Sequence, residues 1–134
     1  MNEVMLSGDN YTLVYNALSF GTAVMFGAFV YFLTQINSVK KEYRSGVAVS
    51  AIVVGIAGYH YFRIFNSWHE AYVLTEAGTY VASGQPFNDA YRYVDWLLTV
   101  PLLVAELVAV LALTRDKRNG LMARLVIASA LMIA

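Results

Sequence analysis

The sequence contains no cysteine, only two prolines and only two histidines among its 134 residues. The absence of cysteine excludes a disulfide framework, a thiol nucleophile and a thiolate metal site. His60 and His69 are well separated and the carboxylates are scattered, so the spacing of a metal site is missing and no metal is predicted. Charged residues are also scarce, at 13%, and nine basic residues balance nine acidic ones. This balance argues against a nucleic-acid partner.

Apolar residues are abundant instead, at 59% of the chain, and they fall into four long runs. A helix that spans a lipid bilayer needs roughly 20 such residues. We therefore predict an all-α membrane protein, a transmembrane helical bundle, with one domain over residues 1–134 and spans near 11–35, 46–66, 90–113 and 120–134. The last run, "LMARLVIASALMIA", has 14 residues and no exit signal, so we expect a helix cut partway through. The first ten residues lack the pattern of a signal peptide.

The connections between the runs give the predicted bundle a direction. Seven of the nine basic residues lie in two of them, namely Lys40, Lys41, Arg44, Arg115, Lys117, Arg118 and Arg124. By the positive-inside rule both connections are cytoplasmic, and the amino terminus is extracellular. The remaining connection, "AYVLTEAGTYVASGQPFND", has two short aromatic and β-branched runs around "TEAG". It predicts a short external β-hairpin, with an irregular loop as the alternative.

The third run carries charges within its apolar sequence, and they share one helical face. Arg92, Asp95, Thr99 and Glu106 are separated by three, four and seven positions. Arg92 and Asp95 are near enough to compensate one another, and the Thr99 hydroxyl can reach the Asp95 carboxylate. At 1.5 Å per residue, Asp95 and Glu106 lie roughly 16 Å apart along the helix axis.

Two carboxyl groups at different depths suit stepwise proton movement. A cation beside Asp95 favours its ionised form, whereas apolar neighbours favour the protonated form of Glu106. The alternative interpretation is that these groups only join helices or reach water at the interface, because an ionisable residue in a span is only a default hypothesis of function.

At these residues the sequence resembles a known family. "RYVDWLLTVPLL" resembles the third helix of the microbial rhodopsins, and Asp95, Thr99 and Glu106 match the pattern of bacterial outward proton pumps. "SAIVVGIAGYHYFRIFNSW" and "FNDAYRYVDWLLTVPLL" are similar to the xanthorhodopsin branch of the proteorhodopsin-like pumps. The resemblance covers the whole chain and implies the first three helices and most of the fourth of a seven-helix fold. It also implies a multi-pass protein of the bacterial plasma membrane that forms trimers or pentamers.

The resemblance further implies retinal as the cofactor and assigns roles to single residues. Asp95 corresponds to the counterion of the protonated Schiff base and the proton acceptor, and Glu106 to the cytoplasmic proton donor. The implied counterion complex also includes His60, Arg92, Thr99 and Tyr61. The implied retinal pocket includes Tyr93, Trp96, Thr99, Val100, Leu103 and Met132. Leucine at position 103 is implied to give green absorption. Some relatives also bind a carotenoid antenna, but the residues that open the antenna site lie on a later helix, so the present residues leave antenna binding undetermined.

The family attaches retinal to a lysine of its seventh helix, and the present lysines do not match that position. Lys40, Lys41 and Lys117 all lie in predicted loops. We therefore expect the lysine anchor on another chain or fragment, together with the last three helices of the seven-helix fold, helices E to G. This chain alone is expected to be photochemically inactive.

The remaining polar residues of the spans are assigned more simply. A lone histidine on an apolar face is more often a packing residue, but the resemblance implies that His60 pairs with Asp95. His69 is expected to be solvated, and Arg63 to extend to the membrane interface.

Two other functions stay open: a sensory photoreceptor, which Glu106 disfavours, and a small helical scaffold or channel without a chromophore, which the missing lysine anchor suggests.

Overall fold

The computed structural model describes residues 5–111 and 113–133. It contains four α-helices, namely α1 (Gly8–Gln35), α2 (Arg44–Ala71), α3 (Tyr91–Val110) and α4 (Arg115–Ile133). It also contains three short strands, namely β1 (Leu6–Ser7), β2 (Tyr72–Leu74) and β3 (Thr79–Ala82). A single 3-10 turn, Lys41–Tyr43, leads into α2.

Within residues 5–111 and 113–133, three stretches are long and apolar enough to cross a membrane: α1, Lys41–Ala71 and α3. Large apolar side chains project outward from them, and Leu13 and Phe20 on α1 are 69% and 72% exposed. Such side chains are compatible with hydrocarbon, and a helix satisfies its backbone hydrogen bonds internally there. The predicted helical membrane bundle is confirmed.

The helices pack in chain order, α1 on α2, α2 on α3 and α3 on α4. Glycines let α1 and α2 approach closely. A Cβ atom at Gly58 would lie 3.2 Å from Cβ of Met25, and one at Gly21 would lie 3.1 Å from Cδ1 of Tyr61. Small residues at such contacts are typical of helices that associate in a membrane.

The ends of the helices differ from the predicted spans. The side chain of Ser7 caps α1 by accepting a hydrogen bond from the backbone amide of Asn10 at 3.3 Å, which satisfies one free donor of the first turn. Helix α2 continues to Ala71 and so includes His69. Helix α4 already begins at Arg115, so the basic residues of the predicted connection lie on its first turns. Ala134 lies outside the described residues.

A small antiparallel sheet lies between α2 and α3. The predicted hairpin is confirmed as β2 and β3, and Gly78 in its turn has φ +78°, a left-handed conformation that glycine adopts without steric cost. Strand β1 adds a third member that the sequence did not reveal, giving the order β1-β3-β2. Leu6 pairs with Tyr80 in this sheet.

Aromatic side chains join the sheet to the first two helices. Tyr11 is 5% exposed, and its ring stacks on that of Tyr80 with centroids 3.7 Å apart. The Tyr11 hydroxyl is 3.2 Å from Nδ1 of His69. His69, expected to be solvated, is exposed but also contacts α1 through this hydrogen bond. The sheet end of the bundle is thereby fixed by stacking as well as by strand pairing.

Candidate functional site

Asp95 and Thr99 lie on the face of α3 that packs against α2. They are one helical turn apart and are 6% and 4% exposed. The Thr99 hydroxyl donates a hydrogen bond to the backbone carbonyl of Asp95 at 2.9 Å. A carboxyl group is therefore held inside a helical bundle, where burial without a partner is costly.

His60 on α2 approaches Asp95 from across the helix interface. The ring is 7% exposed, and its Nδ1 atom lies 3.6 Å from Oδ1 of Asp95. The same nitrogen lies 3.1 Å from the carbonyl oxygen of Ile56, one turn earlier on α2. Since a hydrogen bond spans about 2.7–3.2 Å, Nδ1 is bonded to Ile56 and makes a longer electrostatic contact with Asp95.

The Oδ1 atom of Asp95 is buried and has no hydrogen-bond partner among residues 5–111 and 113–133. Buried polar atoms in proteins are nearly always paired, and an unpaired one calls for a missing water, ion or ligand. The arrangement is suited to a cationic or hydrogen-donating group placed beside Oδ1.

Arg92 pairs with a different carboxylate from the one expected. Its Nη2 atom lies 3.8 Å from Oδ2 of Asp89, and both side chains are about half exposed. Within the described part of the chain, Arg92 forms this ion pair and does not form the predicted one with Asp95. The long Arg92 side chain extends toward the exposed start of α3, where its charge stays solvated.

Two other residues of α2 occupy separate places. The Tyr61 ring packs against Gly21 of α1. Arg63 donates hydrogen bonds to the hydroxyls of Tyr91, at 2.6 Å, and Tyr59, at 3.2 Å. It therefore joins α2 to the first residue of α3, where the sequence predicted only an extension to the interface.

Glu106 lies near the opposite end of α3 and has a partner that sequence reasoning missed. The Ser50 hydroxyl on α2 donates a hydrogen bond to Oε1 of Glu106 at 2.6 Å. A signal for Ser50 was present in the spacing. It precedes His60 by ten residues while Glu106 follows Asp95 by eleven, so two antiparallel helices that match one pair also match the other.

The residues predicted to bind retinal mostly lie on open surface. Tyr93, Trp96 and Leu103 are 56%, 41% and 47% exposed, and Val100 between them is half-buried. Their spacing of three, four and three positions places them along one face of α3. Met132, near the end of α4, is 75% exposed. This surface is available to a ligand or to further helices.

The chemistry that these residues allow is proton exchange. Residues 5–111 and 113–133 contain no group of three potential metal ligands. They do contain two carboxyl groups on α3 that face α2: Asp95 lies beside His60, and Glu106 accepts a hydrogen bond from Ser50. The three lysines are exposed, namely Lys40, Lys41 and Lys117. Two of them lie outside the three apolar stretches, and Lys41 is the first residue of the stretch Lys41–Ala71.

Comparison with known families gives this arrangement its context, because the model of bacteriorhodopsin-like proteins matches residues 13–134. The chain belongs to the bacteriorhodopsin-like family. The resemblance to microbial rhodopsins inferred from α2 and α3 is confirmed.

Curated relatives in this family include two light-absorbing proteorhodopsins. The chain is 30% identical over 128 residues to the green-light absorbing proteorhodopsin of Gamma-proteobacterium EBAC31A08, covering 94% of this chain and 46% of that protein. It is 31% identical over 112 residues to the blue-light absorbing proteorhodopsin of Gamma-proteobacterium Hot 75m4, covering 84% and 39%. The chain thus spans less than half the length of these relatives.

Solved bacteriorhodopsin-like structures match the fold closely. Xanthorhodopsin, described as a light-driven ion pump with dual chromophore, gives a TM-score of 0.93 at 52% identity, covering 98% of this chain and 52% of that one. A thermophilic rhodopsin gives a TM-score of 0.92 at 52% identity, covering 96% and 51%. The four helices and the sheet therefore have the geometry of the corresponding part of a rhodopsin.

Proposed function

We propose that the complete protein is a retinal-based, light-driven outward proton pump in which Asp95 accepts the proton and Glu106 replaces it. The observation that carries this proposal is the pair of carboxyl groups on α3. Among the described residues, one has a buried oxygen without a hydrogen-bond partner, and the other accepts a hydrogen bond from Ser50. Similarity to a light-driven ion pump and to proteorhodopsins supports it.

The buried Oδ1 atom of Asp95 fits retinal chemistry, because among the described residues it has no hydrogen-bond partner and can accept a hydrogen bond from a cationic donor. Retinal bound through a protonated Schiff base would supply such a cation and would release its proton more readily after absorbing light. The open face of α3 would hold it, through Tyr93, Trp96, Thr99, Val100 and Leu103, with Met132 of α4. We place the lysine anchor and helices E to G beyond these 134 residues, since the curated relatives are more than twice as long.

Asp95 in this proposal is kept ionised until it accepts a proton. Burial alone disfavours a carboxylate, so the charge needs nearby compensation. His60 places a basic ring beside the carboxyl group, with 3.6 Å between Nδ1 and Oδ1. His60 therefore positions the acceptor, while Thr99 fixes the helix backbone beneath it. Arg92 adds positive charge at the exposed start of α3, where it is paired with Asp89.

In this proposal Glu106 is protonated before it supplies its proton. The Ser50 hydroxyl bonds to one carboxyl oxygen, and the remaining neighbours on α2 and α3 are largely small or apolar. A neutral carboxylic acid is far less costly in such surroundings than a carboxylate. Glu106 can therefore hold a proton until the other end of the path has lost one, and then supply it.

Direction follows from the basic residues at the Glu106 end of the bundle. Arg44 begins α2, and Lys40 and Lys41 lie just before it, at the 3-10 turn. Further basic residues lie on the first turns of α4. By the positive-inside rule this end faces the cytoplasm, and the sheet end faces outward. A proton accepted by Asp95 and replaced through Glu106 then moves from inside to outside.

The acceptor role is tested by replacing Asp95 with Asn in the complete protein reconstituted into vesicles with retinal. We expect light-driven pH change to be lost, because the amide cannot take up the proton. Asp116→Asn on exposed α4 is the matched control and should pump like the unmodified protein. Undiminished pumping by the Asp95 variant would refute the proposal, and a coloured protein that never moves protons, even with Asp95, would indicate a sensor.

The colour of the pigment depends on Leu103 in this proposal. A polar group at that place would change how the charge of the chromophore is stabilised. Leu103→Gln should therefore move the absorption maximum to shorter wavelength. The matched control is Leu107→Gln, one turn further along α3, and a visible spectrum of each purified variant decides the result.

A further inference from the structure

An open cleft of about 500 Å³ lies at the sheet end of the bundle, between α2, the start of α3 and the loop that precedes α3. Its volume falls within the range of about 300–1,000 Å³ that is usual for small-molecule sites. The α2 residues that line it are spaced by three, one and three positions, so they share one helical face. They are Arg63, Asn66, Ser67 and Glu70, and Asn88 and Tyr91 lie on the other side of the cleft.

Arg63 is held in place at the end of the cleft nearer the membrane centre. Its guanidinium donates hydrogen bonds to the hydroxyls of Tyr91, at 2.6 Å, and Tyr59, at 3.2 Å, and its Cζ atom lies 4.8 Å from the centre of the Tyr91 ring. A guanidinium has five N–H donors, so others remain for a ligand. Arg63 is exposed and forms no salt bridge with residues 5–111 or 113–133. Its donors are therefore oriented for an anion, and guanidinium geometry suits phosphate oxygens.

Glu70 supplies the opposite charge nearer the end of α2. It follows Arg63 by seven residues, roughly 10 Å along the helix axis. The Glu70 side chain is exposed and forms no salt bridge within the described part of the chain. Asn66 and Ser67 lie between the two charges, and the Ser67 hydroxyl accepts a hydrogen bond from the backbone amide of Asn88 at 2.8 Å. The cleft thus offers a cation, neutral polar groups and an anion in that order, which suits a ligand with a phosphate and an ammonium group.

From Arg63 toward the membrane centre, the same surface becomes apolar. Ile52 and Tyr59 continue this face of α2, and both are about half exposed. Val94 and Leu98 continue the adjoining face of α3 and are exposed to the same degree. Tyrosine is enriched where a bilayer meets water, and arginine can extend to that level. Acyl chains can therefore lie along the two helices while their polar headgroup occupies the cleft.

This surface faces away from the residues proposed to hold retinal. Val94 and Leu98 are each two positions from Trp96, which places them roughly 160° around α3 from it. Further helices that complete a retinal pocket on the Trp96 side would leave the Leu98 side in contact with lipid.

We propose that the cleft binds the headgroup of a phospholipid that carries both a phosphodiester and a primary ammonium group, of the phosphatidylethanolamine class. Arg63 binds the phosphate oxygens, and Glu70 accepts hydrogen bonds from the ammonium group. A choline headgroup has no N–H to donate, and a glycerol headgroup has no positive charge to pair with Glu70. The site therefore selects the ethanolamine lipid, and this inference is independent of the proposed proton path.

Native mass spectrometry of the complete protein in detergent tests the selection. Phosphatidylethanolamine, phosphatidylcholine and phosphatidylglycerol with the same acyl chains are added in turn. We expect the ethanolamine lipid to bind about fivefold more tightly than the other two, the size of one exposed ion pair. Equal binding of the three lipids would overturn the inference.

Soluble glycerophosphoethanolamine separates a lipid from a free ligand of the same chemistry. It has the headgroup but lacks the acyl chains, so it should compete at least roughly a hundredfold more weakly than the lipid. Competition as strong as that of the lipid would show that the apolar faces contribute nothing, and would overturn the assignment to a lipid.

Two variants separate the two charges of the cleft. Arg63→Gln should weaken binding of all three lipids about tenfold, because each carries a phosphate. Glu70→Gln should remove the preference for the ethanolamine lipid and leave binding of the choline lipid unchanged. Glu70→Gln also guards against a folding failure, because that side chain is exposed. The matched control is Glu76→Gln on the exposed hairpin turn, which should keep the preference.

Two results with these variants would overturn the inference. The first is a Glu70→Gln variant that still prefers the ethanolamine lipid as strongly as the Glu76→Gln control. The second is an Arg63→Gln variant that changes the mass of the oligomer but not the amount of bound lipid, which would assign this surface to a second copy of the chain.

Discussion

The two carboxyl groups of α3 lie on one helix in strongly different surroundings. Within the described residues, Asp95 has a buried oxygen without a hydrogen-bond partner and a histidine contact at 3.6 Å. Glu106 has a hydroxyl donor at 2.6 Å and a cavity of about 200 Å³ beside it. Helix α3 supplies both acids, but α2 supplies both partners. The neighbouring helix therefore sets the surroundings of each carboxyl group.

The largest expected effect is on the late phase of the photocycle, which depends on Glu106 and not on Asp95. Glu106→Gln in the complete protein should slow recovery of the dark-state absorption by about a hundredfold or more, the usual size of a lost acid–base group. Early light-induced changes should remain, because Asp95 is intact. Time-resolved absorption measures both phases, with Glu42→Gln on the exposed turn before α2 as the control. A late phase as fast as in the unmodified protein would remove the distinction between the ends.

A smaller effect is expected from the partner of Glu106. Ser50→Ala removes a hydrogen bond worth about 1 kcal/mol when both groups are neutral. The infrared carboxyl band of Glu106 should move to higher frequency, and the late phase should change by no more than roughly tenfold. Ser129→Ala is the matched control, because that hydroxyl donates to the backbone carbonyl of Val126. An unchanged carboxyl band would show that the Ser50 contact is absent.

The smallest effect should come from the exposed start of α3. Asp89→Asn breaks the 3.8 Å ion pair with Arg92, and such exposed pairs contribute at most about 1 kcal/mol. Thermal unfolding should therefore shift only slightly, and less in high salt because the charges are screened. Asp116→Asn provides the comparison on α4. A large loss of stability or of pumping would place Asp89 in the buried network of Asp95.

The sequence was sufficient for the helices and for the shared face of Asp95 and Glu106, because these follow from periodicity within one element. It left the hairpin and an irregular loop as alternatives. It was insufficient for contacts between elements. Ser50 acquires meaning only when α2 is placed antiparallel to α3, and Arg92 has two carboxylates within reach along its own chain. Nothing local distinguishes Asp89 from Asp95 as its partner, since the choice depends on how deeply each side chain is buried.

The missed strand β1 has the same physical origin. Two residues before a helix carry no periodic pattern, and Leu6 and Ser7 become a strand only by pairing with β3. The contact of Tyr11 with His69 likewise joins residues far apart in the chain.

The pairing of Leu6 with Tyr80 also constrains how the protein is made. During synthesis Leu6 and Ser7 remain without their strand partner until α1, α2 and the hairpin have all emerged from the ribosome. Only then can the sheet close and the Tyr11 ring find Tyr80. The sheet can therefore form only after both of the first two helices have crossed the bilayer, because only then do Leu6 and Tyr80 lie on the same side.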